Sequence, residues 1–515
     1  MKNIIKGAIK NKLFTPWAWF FLFLIFSISF FTYFFLYTEP SRGFWDENYY
    51  IVDAQKYLNG VYFMSVHPPL GKLLMALGEK MFFPNGQQGK DGFYDSKFIN
   101  SDKAPNFPDD FSFLGYRFFS ALLGWLAAPL LFLIFLYVTR NSLFSFFLSF
   151  LYVFDNALLV HIRGAMLEGP LIFFTVLMLL IYFLLLEYDS KKPGFVFILL
   201  VLFFGMSFGL IVATKVFGLA MILLLPAYLY RLLPNWKKII LASALFLLGF
   251  LVVYVAVWQI HFALGKEIKP ALSNNGYYEA SSQYKKIISE GGGGNIFNFP
   301  VMLRDSINYV SIFNKKMGQL NLSNPNENAS PFFLWPLGAR AIRYRWDEMP
   351  GGAAYKYLYL QSNPVVWLSA FFALLIGCSL LCASWFFKLP LKNRELLAVF
   401  IGIYLSYMIA FSFITRVLYL YSYFIPLILS FIILGLVFME LNRFGRWKLT
   451  KRSKTIILFV FACLIFISFI FYSPLTYHQP ISDKQFNMRN ILPIWGLTCV
   501  KCASVNMLGI PVKGK

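Results

Sequence analysis

Eleven runs of apolar residues divide this chain, each close to the ~20 residues that a helix needs to cross a bilayer. They lie at roughly 16–37, 114–138, 142–161, 166–187, 195–213, 216–231, 239–262, 364–387, 395–414, 417–440 and 455–472. A chain patterned this way reads as an all-α polytopic membrane protein of about eleven transmembrane helices. Composition agrees: of 515 residues, 58% are apolar and only 14% charged, with 61 phenylalanines, too little polar surface for a soluble protein of this size. The net charge of +22 would suit a nucleic-acid partner. Its distribution argues against one, because the basic residues sit mostly in short gaps between the apolar runs.

Those gaps orient the chain. With the N-terminus cytoplasmic and the runs alternating, six short inner segments hold 19 basic residues, from Lys2, Lys6, Lys10 and Lys12 to the cluster Arg443, Arg446, Lys448, Lys451, Arg452 and Lys454. The short outer turns hold three: Arg163, Lys215 and Arg416. The first run follows a basic start and has no small-residue cleavage site, so it reads as an anchor rather than a signal peptide. The expected organisation is an N-terminal transmembrane module (1–262) carrying a first extracytoplasmic loop (38–113), a large outer loop (263–363), a C-terminal four-helix module (364–472) and an extracytoplasmic tail (473–515). The outer loops should carry short amphipathic helices. Cys499 and Cys502 form a C-x-x-C in the tail, open to a disulfide; a zinc site needs four ligands, and none is expected.

Three constellations have the residue types that chemistry requires. The basic residues Arg163, Lys215 and Arg416 each occupy a tight hairpin at the outer edge of the apolar slab, where a cation costs free energy unless solvated or paired. Snorkelling into headgroups accounts for one such residue. Three on one leaflet, with Arg117 just inside the second run, point to an anion site, and a lipid-linked phosphate is the natural anion at that depth. The acidic pair Asp46-Glu47 follows the first run among Phe44, Trp45 and Tyr49. A partly desolvated carboxylate there can take a proton from a hydroxyl, although an acidic dipeptide also suits the N-terminus of a plain amphipathic helix. The string His67-Pro68-Pro69-Leu70-Gly71-Lys72 makes a rigid corner, which can be no more than the start of a helix at Leu73. Glu168, five residues past Arg163, can orient or simply neutralise a nearby cation.

Taken in order, these strings resemble the protein O-mannosyltransferases, enzymes of the GT-C glycosyltransferase fold that use dolichyl- or polyprenyl-phosphate-mannose. The resemblance rests on Asp46-Glu47, on His67 to Lys72, on Tyr116-Arg117, and on Arg163 to Leu171. It continues through Ala213-Thr214-Lys215-Val216-Phe217-Gly218, Phe333-Leu334-Trp335-Pro336-Leu337 and Ser362-Asn363-Pro364. Glu168 stands where the family usually has aspartate, and Val216 replaces its tryptophan. The loop 263–363 is too short for the β-trefoil MIR domain of eukaryotic members, which implies a bacterial-type enzyme of the inner membrane. The resemblance implies that Asp46 is the catalytic base of an inverting transfer to a serine or threonine hydroxyl, and that Glu47 helps position the acceptor. It implies that Arg117, Arg163 and Lys215 hold the donor phosphate, to which topology adds Arg416. His67, Pro68, Pro69, Lys72 and Glu168 would shape the site. The expected partners are a lipid-phosphate sugar donor, a secreted or membrane protein acceptor and the membrane lipids. Neither a metal nor another cofactor is obligatory, because cations already supply the electrostatics.

Two other readings stand beside this one. A transferase of the same fold that decorates lipid A or a cell-surface glycan would carry nearly the same site. A transporter would place its ionisable residues near the bilayer midplane on broken helices, whereas here they gather at the outer edge.

Overall fold

The structure is a computed structural model that describes residues 13–83, 85, 107–188, 194–268, 276–321, 327–352 and 354–500. It is mostly helical, and each of the eleven apolar runs falls on a helical element. Among the described residues nine helices are long and apolar enough to span: Pro16–Phe34, Leu114–Thr139, Glu168–Glu187, Phe195–Thr214, Trp236–Leu264, Pro364–Phe386, Arg394–Ser412, Leu420–Glu440 and Lys451–Thr476. A tenth forms if Ser142–Val153 and Asn156–Ile162, bent by 60° at their junction, are counted together. The run at 216–231 gives only a shorter apolar element that begins as 3₁₀ helix, so the expected count of eleven is not reproduced. The N-terminal lysines, Lys191, Lys192 and Cys502 lie outside the described residues.

The bend after Val153 has a polar cause. Asp155 leaves the helix to cap the next one, accepting from the Leu158 amide and from Trp367 Nε1, both at 2.8 Å. Asn363 donates to the carbonyls of Phe154 and Ile465, and Asn156 to Thr476 Oγ1 at 2.8 Å. Broken backbone at membrane depth is tolerated only when its polar groups are met in this way. Burial then ranks the spans. Leu420–Glu440 is 89% buried and forms the centre, whereas Trp236–Leu264 is 22% buried and lies at the periphery.

One departure from an all-α chain lies in the large loop. Strand β1 (Ile342–Glu348) pairs antiparallel with β2 (Tyr355–Leu360). A short hairpin, β3 (Arg443–Phe444) with β4 (Trp447–Lys448), closes a basic turn. Strand β5 (Pro480–Ile481) returns from the tail to pair with the far side of β2, giving the order β1-β2-β5. The described tail is therefore folded onto the sheet, with Trp495, Phe486 and Leu497 buried against Tyr357 and Tyr359. Cys499 is buried there and disulfide-bonded.

Candidate active site

The backbone places Asp46 before its chemistry is considered. The chain leaves the first span, and Trp45 adopts φ +51°, a conformation a bulky residue rarely takes without a local reason. That turn lodges the Trp45 ring between Tyr344 (centroids 5.5 Å apart) and Tyr419 (5.0 Å, edge-on). Asp46 then opens the helix Glu47–Leu58 without capping it, so its carboxylate is free to face the site. The Tyr421 hydroxyl donates to Asp46 Oδ2 at 3.3 Å, and Tyr50, one turn along, also hydrogen-bonds to Asp46. Burial pushes the Asp46 carboxyl above the ordinary carboxylate range; Lys215 opposes that shift and Glu168 adds to it.

Glu47, the other half of the acidic pair, points the opposite way. It is fully buried and meets Arg117 through Nε–Oε1 at 2.7 Å and Nη2–Oε2 at 2.9 Å. Its oxygens also accept from the amides of Phe44 and Ala165. The remaining N–H groups of Arg117 donate to the carbonyls of Thr38, Pro40 and Arg42. Every N–H of this guanidinium is thus engaged, leaving none for a phosphate.

Glu168 is the centre of a second buried cluster. One oxygen pairs with Lys215 Nζ, and the other with His161 Nε2 at 2.7 Å. His161 Nδ1 is hydrogen-bonded to the Tyr344 hydroxyl, and the imidazole stacks on Tyr421 at 4.7 Å. Tyr344 reaches this point because of a bulge. The β1–β2 register pairs Arg343 with Tyr359 and Arg345 with Leu358, so Tyr344 is the extra residue. Bulges redirect side chains in this manner beside functional sites.

The four expected phosphate cations therefore separate. Arg117 is saturated, and Lys215 is paired with Glu168 while sitting 4.8 Å from the Tyr421 ring and 5.5 Å from Phe217. Arg416 also lies near Phe217, 5.9 Å from its centroid, with no carboxylate partner among the described residues. Arg163 is buried over Tyr477 at 4.5 Å, donates to the carbonyls of Thr476 and Leu36, and keeps one unpartnered Nε–H. Lys215 acts electrostatically on Asp46, whereas Arg117 is held by Glu47 and Arg163 by the Thr476 and Leu36 carbonyls.

The rigid corner packs beside Tyr50. Pro68 and Pro69 are buried, and the Pro69 carbonyl begins the helix Leu70–Phe82 by accepting from the Leu73 amide at 3.0 Å. Lys72 is fully buried, paired with Asp53 at 3.2 Å and donating to the His67 carbonyl at 3.1 Å, which pins the corner from below. The His67 ring lies 6.0 Å from Tyr50. Burial, then Lys215 and Lys72, hold its pKa well below the ordinary imidazole value.

Sequence reasoning did not select His161, Tyr344, Tyr421 or Tyr50. An ionisable residue inside an apolar run is itself a signal, and by that rule His161 was visible. The three tyrosines carry no local mark among thirty in the chain.

Comparison with known proteins gives the same order of elements. The family model for dolichyl-phosphate-mannose-protein mannosyltransferase matches residues 23–264, and the model for the C-terminal four-helix transmembrane region of protein O-mannosyltransferase matches 309–495. A Candida albicans dolichyl-phosphate-mannose–protein mannosyltransferase is 29% identical over 235 residues, 43% of this chain and 31% of that protein. A Danio rerio protein O-mannosyl-transferase is 27% identical over 295 residues, 54% of this chain and 36% of its own length. The chain thus spans about a third of the length of these curated relatives. A chain of the S. cerevisiae protein O-mannosyltransferase Pmt1-Pmt2 complex bound to the sugar donor shares the fold, with TM-score 0.73 at 15% identity over 95% of this chain and 94% of that one. Two family models in tandem, ordered relatives and a shared fold lead to one statement: this chain belongs to the protein O-mannosyltransferase family and is a multi-pass membrane protein of the GT-C fold.

Proposed function

We propose that this protein is an inverting glycosyltransferase that moves a mannosyl group from a polyprenyl-phosphate carrier to serine or threonine hydroxyls of proteins, at the extracytoplasmic face of a bacterial inner membrane. The N-terminus is then cytoplasmic and the tail outside. The observation that carries the reading is the setting of Asp46: a carboxyl at the membrane edge, held by Tyr421, with Lys215 on one flank. In the reaction the acceptor oxygen attacks the anomeric carbon from the face opposite the phosphate. The bond from that carbon to the phosphate oxygen breaks, and Asp46 takes the hydroxyl proton. The departing lipid phosphate gathers negative charge, which cations fixed in advance stabilise without reorganisation. Lys215 and Arg416 serve there, so neither a nucleotide nor a metal is required. Glu47 and Arg117 hold the catalytic loop in place rather than touching substrate. Arg163 clamps the bent hairpin against the first and last spans. His67 to Lys72 shape the wall.

The test is transfer of labelled mannose from polyprenyl-phosphate-mannose to a Ser/Thr-rich peptide, using purified protein in detergent beside Asp46→Asn. Transfer that vanishes in the variant while donor binding persists supports both the reaction and the base. Donor binding by the wild type with no transfer to peptide would move the acceptor to a glycan or lipid. Loss of donor binding by the wild type would sink the carrier itself.

A further inference from the structure

β1 forms one edge of the sheet, and that edge leads to Asp46. β1 pairs with β2, and β2 pairs with β5, so β1 ends the sheet. The amides of Arg340 and Ala341, just before β1, donate to the carbonyls of Ile494 and Trp495. From Ile342 to Glu348, β2 is the sole backbone hydrogen-bonding partner among the described residues. An open strand edge is a template for another strand, and proteins normally cover it or blunt it. Here the strand is short and carries Arg343, Arg345, Asp347 and Glu348, which discourages indiscriminate pairing while leaving the backbone available.

The two ends of this edge have distinct surroundings. At one end Tyr344 packs 5.3 Å from Phe44 and 5.5 Å from Trp45, the two residues that precede Asp46. At the other end Asp347, Glu348 and Met349 line an open polar cleft of about 420 Å³ together with Glu39, Arg42 and His478. The strap that forms the cleft's opposite wall is the segment whose carbonyls Arg117 holds. Asp347 is paired with Arg345 and lies 3.1 Å from His478 Nε2. The wall carries both signs of charge, Glu39, Asp347 and Glu348 beside Arg42 and Lys356. At roughly 3.3 Å per residue, a strand lying along Arg345–Glu348 reaches from the cleft to Trp45 within about four residues.

We propose that the acceptor is an extended polypeptide that docks as an added strand on the free edge of β1, one end over the cleft and its hydroxyl-bearing residue beside Trp45 and Asp46. This rests on the transferase reading above and names how its acceptor is held. Main-chain pairing recognises peptide without reading side chains, which suits transfer to hydroxyls in varied surroundings. The bulge at Tyr344 interrupts the regular ladder, which resumes at Arg343 and Ile342, so the residue presented to Asp46 is released from pairing at the point where its hydroxyl must turn.

The experiment leaves the protein unaltered. A fluorescein-labelled nonapeptide of alanine and valine with one central threonine is N-methylated at one position at a time. Binding to the full chain in detergent is read by anisotropy, and mannose transfer is measured with the same peptides and with N-acetyl-threonine amide. Each methyl removes one ladder donor, so affinity should fall roughly three- to tenfold at every second position between the cleft and the threonine, with little effect between. N-acetyl-threonine amide should be a poor but real acceptor. Uniform sensitivity, uniform tolerance or no peptide binding, with transfer to the single-residue acceptor intact, overturns the strand docking and leaves the transferase reading standing. Alternating affinity with no transfer to any acceptor upholds the docking and overturns the transferase reading.

Discussion

The guanidinium of Arg117 and the carboxylate of Glu47 meet through two hydrogen bonds, 2.7 and 2.9 Å, across 70 residues of sequence and with neither side chain exposed. Adjacent in sequence, Asp46 and Glu47 therefore have opposite tasks, because successive residues at a helix start point in different directions. One carboxylate faces the site, and the other fastens the loop to the second span.

Removing one member of that pair strands a buried charge, which costs about 3–5 kcal/mol, whereas replacing both with apolar residues is far less harmful. Glu47→Leu and Arg117→Leu should each lower the melting temperature in detergent, and the double variant should melt above either single one. Asp46→Asn should melt as the wild type does. Additive losses in the double variant would show that the two side chains act separately.

Asp46→Asn should reduce transfer by about 10²–10⁴-fold, the usual worth of a positioned base. Because burial raises the pKa of Asp46, the active carboxylate is present above that value, and kcat/KM falls as pH drops through it. Tyr421 donates to the charged form and so holds the pKa down. Tyr421→Phe should move the acid limb of the pH profile to higher pH. A limb that stays in place would mean another group titrates there.

Arg416 has no carboxylate partner among the described residues, so Arg416→Ala should leave the fold intact. A charge-assisted hydrogen bond is worth about 1.5–3 kcal/mol, and donor affinity should fall about tenfold or more, measured by titration with polyprenyl phosphate. Lys215→Met should weaken donor binding and also lower the melting temperature, since it leaves Glu168 buried beside His161 alone. Donor affinity unchanged in Arg416→Ala would remove Arg416 from the phosphate site.

Glu168 spans Lys215 on one oxygen and His161 on the other. Glu168→Asp shortens that reach by one methylene, and both partners cannot be kept without backbone movement. Turnover should fall several-fold and the acid limb should shift, because Glu168 and Lys215 both act on Asp46. Wild-type turnover and pH profile in this variant would reduce the bridge to packing.

Much of the architecture is readable from contiguous stretches. Leu114–Thr139 and Phe195–Thr214 begin where their apolar runs begin and end within a residue of where the runs end. The position of Asp46 at the mouth of the first span is equally plain. The sheet was also partly marked: Tyr355 to Leu360 is aromatic-rich and alternates, and in β1 buried Ile342 and Tyr344 flank exposed Arg343. Both stretches fall inside the large outer loop 263–363, where two short strands give a far weaker contiguous signal than the long apolar runs.

Chain order alone determined how many apolar runs there are, where they lie and which side their flanking charges favour, because transfer of a segment into lipid depends on that segment's own residues. It could not decide which cations are free. Arg117 and Arg416 look alike along the chain, yet one is consumed by a carboxylate 70 residues away and the other has none among the described residues. Tyr421 finds Asp46 across 375 residues, and Lys215 finds Glu168 across 47. In a low-dielectric interior a charge takes its role from what stands within a few ångströms, and only the folded chain sets those neighbours.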